Sequence, residues 1–106
     1  MKILERSRTL RESENCRIKY GDPRSFDILN IKITEGSDVY VYQIEAKHLS
    51  TQTDSIHFYP TKTNGKLNIE WVKWAAPYIK LISKPKSGFF QKIKLFFIQL
   101  LSIFNV

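Results

Sequence analysis

The sequence predicts an α+β fold: an antiparallel sheet of four to five strands from two hairpins, covered by one C-terminal amphipathic helix. Three observations carry this expectation. Apolar residues alternate through residues 26–34, and a β-branched and aromatic run fills residues 39–46, on either side of the short polar stretch Glu35-Gly36-Ser37-Asp38. Asn64-Gly65 stands between two further β-like runs, and Asn-Gly suits a type I′ hairpin turn because both central residues need positive φ. After Gly88 the apolar period lengthens from about 2 to about 3.6 residues, the change expected where strand gives way to helix.

Residues 1–24 read least clearly. Leu4, Leu10 and Ile18 are too sparse to define a stripe, so the segment is a short helix, an edge strand or an ordered arm, closed by the turn signal Gly21-Asp22-Pro23. The sheet is expected within residues 25–83. Leu29, Ile31 and Ile33 alternate with Ile28, Asn30 and Lys32, which gives the first hairpin arm one apolar face. Its partner, residues 39–46, is β-branched and aromatic throughout and suits a central position. Whether Val39 and Val41 or Tyr40 and Tyr42 look inward is open, since a one-residue slip exchanges the two faces. Residues 48–54 form a polar loop. In residues 55–61, Ile56 and Phe58 oppose His57 and Tyr59, and Pro60 marks an edge or a strand end. On the return strand, Leu67, Ile69 and Trp71 share one face, while Asn68, Glu70, Val72 and Trp74 share the other. Residues 78–83 are a last strand or an extended connector, and residues 84–88 a linker. Residues 89–105 place Phe89, Phe90, Ile93, Phe96, Phe97, Leu100, Leu101, Ile103 and Phe104 on one side of a helix, with Ser87 as its N-cap.

The 106 residues suit a single small domain, 1–106. With 42% hydrophobic and 25% charged residues, the composition excludes a disordered chain, a collagen-like chain and a disulfide scaffold. The lone Cys16 cannot form an intrachain disulfide, so a reducing, cytoplasmic setting is expected. No uncharged apolar run is long enough to span a bilayer, which leaves membrane association through the last segment as the alternative.

Net charge is +7, unevenly placed: +3 over residues 1–25, −3 over 26–60 and +7 over 61–106. No acid follows Glu70. Such asymmetry points to an anionic partner, and otherwise to simple solubility. Lys80, Lys84, Lys86, Lys92 and Lys94 are the expected partner-binding set. The leading reading is a non-enzymatic binding or assembly module that docks this basic surface on an acidic macromolecule. A second reading is a single-stranded nucleic-acid binder in which Tyr40, Tyr42, Tyr59 and Trp74 stack bases while Lys and Arg neutralise phosphates. The same rings equally suit the core or cross-strand pairs. A third reading is an anionic membrane surface as partner, engaged by the C-terminal helix, with its lysines attracting and its phenylalanines inserting. Homo-oligomerisation fits the same apolar face.

Catalysis has little to stand on. His48 and His57 with Lys47 or Lys62 form the one candidate acid–base set, and their spacing matches no motif. One Cys and two His do not make a metal set, and four glycines do not make a cofactor cradle. No cofactor and no small-molecule substrate are expected, and Cys16 reads as structural.

Overall fold

The computed structural model describes residues 1–10 and 14–85. These form seven strands: β1 (Ile3–Leu10), β2 (Cys16–Lys19), β3 (Ile28–Glu35), β4 (Asp38–Glu45), β5 (Ser55–Thr63), β6 (Lys66–Trp71) and β7 (Lys80–Ser83). They make a four-stranded sheet in the order β1-β3-β4-β7 and a three-stranded sheet in the order β2-β5-β6.

The expected α+β architecture is therefore corrected. Among the described residues there are two sheets, and the helical pieces are the three-residue 3-10 turns Pro23–Ser25, Ala46–His48 and Ala76–Tyr78. Both expected hairpins form, but in different sheets, and β1 runs parallel to β3 rather than antiparallel. A single sheet would need a helical lid over its apolar face. Here each sheet is the other's lid, which buries the same kind of face without a helix. The amphipathic helix assigned to residues 89–105 lies outside the described residues. No helix among the described residues is long and apolar enough to cross a membrane.

Register settles which side chains face inward. Leu29 pairs with Ile44, Ile31 with Tyr42 and Ile33 with Tyr40, so the tyrosines share the inner face with the isoleucines, and Val39 and Val41 lie on the outer face. On the other sheet, Ile18 pairs with Ile56, Cys16 with Phe58 and Phe58 with Trp71. Leu29, Ile31, Ile33 and Ile56 are wholly buried. Trp71 of β6 meets Tyr42 of β4 edge-on at 5.2 Å between centroids and leans on Phe58 at 5.0 Å, which ties the two sheets across the core.

Turn chemistry follows the sequence. Asn64 and Gly65 have φ of 53° and 77°, as the two-residue β5–β6 turn requires. Residues 1–24 supply one edge strand to each sheet. Arg6 holds those two edges together: its guanidinium donates to the Lys19 carbonyl of β2 at 3.0 Å and to the Glu5 carbonyl of β1 at 3.1 Å. Arg8 adds an ion pair to Glu14 at 3.0 Å. The Tyr20 hydroxyl donates to the carbonyls of Ser50 and Thr53, at 2.6 and 3.1 Å, and so fastens the loop before β5 to the end of β2.

Two stability predictions follow from this core. Ile31→Ala empties a fully buried site and should cost about 2–5 kcal/mol in urea unfolding. A loss under 1 kcal/mol would mean that the two sheets do not close over Ile31. Burial, and secondarily the Asp54 carboxylate, raise the Tyr20 phenol above its ordinary value. A raised folded-state pKa favours the neutral phenol, so its contribution is complete below the unfolded value of about 10 and is lost as pH climbs past it. Tyr20→Phe should cost about 1 kcal/mol at neutral pH and flatten the alkaline limb of a stability-against-pH curve. An unaltered limb would contradict this.

Candidate binding groove

Among the described residues, four strands stacked on three leave one strand uncovered. On one side of the sandwich the edges of β1 and β2 meet and Arg6 bridges them. On the other side β4 lies against β6, as the Tyr42–Trp71 contact shows, and β7 projects beyond it. All four residues of β7 are exposed, with Leu81 at 47% and Ile82 at 53%. The step between β6 and β7 is a groove of about 690 Å³. Tyr40, Tyr42 and Leu81 form its floor, and Leu67 and Ile69 its wall. Lys66, Lys84 and Asp38 stand at its rim.

The groove joins two sets of residues singled out in the sequence for different reasons, the ring pair Tyr40 and Tyr42 and the basic Lys84. It adds Lys66, since the fold brings the β5–β6 turn beside residue 84, a proximity that carries no local signal in the sequence. Both tyrosines are half-buried and packed against the core. Burial is the main cause that raises both phenols, and for Tyr40 the carboxylates of Asp38 and Glu35 push the same way against Lys62. Lys62 pairs with Glu35 at 3.1 Å and links the ends of the two sheets.

The other candidates are dispersed. Tyr59 lies on the outer face of β5 opposite Glu70, away from Tyr40 and Tyr42 on the inner face of the other sheet. Trp74 leaves the strand before it can extend the β6 face. Val72 accepts from the amides of Ala75 and Ala76 and turns the chain there, and the Trp74 ring packs against the core. The four proposed stacking rings therefore share no single surface. Lys80 pairs in register with Gln43 on the outer face of the larger sheet. Lys86, Lys92 and Lys94 lie outside the described residues.

Lys80 instead borders a second, smaller cleft at the end of β4. There the Tyr78 ring stacks flat on His48, with centroids 3.9 Å apart and planes within 3°. Glu45 pairs with Lys47 at 3.1 Å and approaches the His48 imidazole at 3.9 Å. His57 is on the other sheet, opposite Arg17, so the two histidines are not brought together. Cys16 is 1% exposed; burial raises its thiol, opposed by the adjacent Arg8. Its Sγ donates to the Glu14 carbonyl at 3.4 Å, a structural setting for a thiol. Among the described residues no three His, Cys, Asp or Glu side chains converge as a metal set would.

No family model, no curated protein and no solved structure matches this chain.

Glu45 offers a direct check on the electrostatics beside the smaller cleft. The Lys47 ammonium holds its carboxyl below the usual range, with smaller help from His48 and Lys80. A depressed carboxyl contributes stability above its unfolded pKa and loses it as pH falls through the folded value. Lys47→Ala should move the Glu45 carboxyl titration, followed by ¹³C NMR, upward towards an ordinary glutamate. An unmoved midpoint would show that Lys47 is not its partner in solution.

Proposed function

We propose that this chain is a non-catalytic binding module that takes an acidic segment of a partner protein into the groove between β6 and β7. One observation carries the reading: among the described residues an apolar and aromatic strip, the half-buried Tyr40 and Tyr42 and the exposed Leu81, lies open between two rim lysines, Lys66 and Lys84. Apolar floor supplies affinity through burial, and rim cations supply complementarity to carboxylates and faster encounter. Among the described residues Asp38 is the one acid lining the groove, and the sequence beyond Glu70 adds only positively charged side chains. A protein segment fits this better than a nucleic acid, because single-strand recognition needs rings free to stack on successive bases. Both rings in this groove are half-buried against the core.

The test is fluorescence anisotropy with a labelled probe peptide, Ser-Leu-Ser-Leu-Glu-Leu-Glu-Leu, against an oligothymidine of similar length. The probe should bind, more weakly as salt is raised, and the Lys66→Glu, Lys84→Glu double variant should weaken it at least about tenfold, the equivalent of 1.4 kcal/mol. Absence of binding, or indifference to the double variant, would overturn the reading. Tighter binding of oligothymidine, with the steep salt slope of phosphate neutralisation, would favour the nucleic-acid alternative.

A further inference from the structure

We infer that the partner segment enters the groove as an added β-strand on the free edge of β6, an inference that rests on the docking reading above. Two open sheets have four edges. An unpaired edge is a template for any extended chain, and proteins blunt such edges with short strands, bulges, lysines or covering groups. Three of the four edges here are blunted. The edges of β1 and β2 meet, and Arg6 caps an outward carbonyl of each. β2 is also only four residues long. β7 is equally short, begins with Lys80 and is followed by Lys84, and is broken by a bulge at Ile82, since Val41 pairs with Ser83 while Tyr42 pairs with Leu81. Among the described residues β6 carries no bulge and no covering group, and it is longer than β2 and β7. It runs for six residues in unbroken register with β5, contains no proline, and its one lysine is its first residue.

The register also says which backbone groups of β6 are free. A two-residue turn makes Thr63 and Lys66 a hydrogen-bonded pair, and hydrogen-bonded and non-bonded pairs alternate from there. The pattern fits two independent facts. Pro60, which has no N–H, falls at a non-bonded pair with Ile69, and the Val72 amide donates to the His57 carbonyl at 3.0 Å, one step beyond Trp71. Lys66, Asn68 and Glu70 therefore spend their N–H and C=O groups on β5. Leu67, Ile69 and Trp71 turn theirs to the open side, above the Tyr40, Tyr42 and Leu81 floor.

An antiparallel strand placed there would pair directly with Leu67 and Ile69, its inward side chains would cover the groove floor, and its outward ones would lie beside Lys66, Asn68 and Glu70. The fitting partner thus alternates apolar and polar residues, with its carboxylates at the C-terminal end, against Lys66 and Lys84, and a neutral residue against Glu70. A second copy of this chain is a poorer occupant. Twofold pairing through β6 would drive the projecting β7 of each copy into the space under the other's β6, where β4 already lies.

N-methylation separates the outcomes, because it deletes one amide donor and leaves charge and sequence alone. Two forms of the probe peptide carry N-methyl groups, one on the leucines beyond the first, the other on the serine and glutamate residues. The structure predicts that methylating the leucine amides, which would face β6, abolishes binding, and that methylating the others leaves it within about threefold. If both forms bind alike while the Lys66→Glu, Lys84→Glu variant still weakens the unmodified probe, strand addition is overturned and the docking reading stands. If the unmodified probe fails to bind, both fall. Concentration-dependent dimerisation in sedimentation velocity, abolished by the probe, would place a second copy on the edge and overturn the assignment to a foreign segment.

Discussion

A four-stranded sheet cannot be fully covered by a three-stranded one, and most of this molecule follows from that mismatch. Two sheets with apolar inner faces gain most when they stack, because each removes the other from water. Leu29, Ile31 and Ile33 from one sheet and Ile18, Ile56 and Phe58 from the other form the interior this creates. On the β1–β2 side the edges finish together, and arginine closes them. On the β6 side they do not, and the surplus strand leaves inner-face residues half-covered. Tyrosine suits that position, since a ring can fill core on one side and carry its hydroxyl to water on the other.

The same mismatch separates the roles of the arginines and the lysines. The N-terminal arginines read in sequence as a basic arm with a claim on phosphate. In the fold, Arg6 spends donors on backbone carbonyls and Arg8 on Glu14, work for which a forked guanidinium is suited. Lys66 and Lys84 line the groove. Both ends carry net positive charge, whereas their placement makes the first a clasp and the second part of the proposed recognition surface.

What was legible in the sequence was local. The alternation in β3, the β-branched and aromatic run of β4 and the Asn64-Gly65 turn each depend on neighbours in the chain, and each formed where expected. What was hidden depended on partners distant in the chain. A parallel pairing of β1 with β3 leaves no mark in either strand, because Leu4 and Leu10 are separated by Arg6 and Arg8, whose guanidinium groups find partners in the Lys19 and Glu5 carbonyls and in Glu14. The assignment of the two hairpins to separate sheets was equally invisible, since an apolar face looks the same whether a helix or a sheet covers it. The inward direction of Tyr40 and Tyr42 was open for the same reason, and the groove, which needs β6 and β7 side by side, could not be seen at all.

The central claim is that β6 is an open edge, and native-state hydrogen exchange of the free protein tests it most directly. The account predicts a two-residue rhythm along the strand: protected amides at Asn68 and Glu70, which bond to β5, and fast exchange at Leu67 and Ile69, which face the groove. Uniform protection from Leu67 through Trp71 would mean that something already occupies that edge, and would contradict the account.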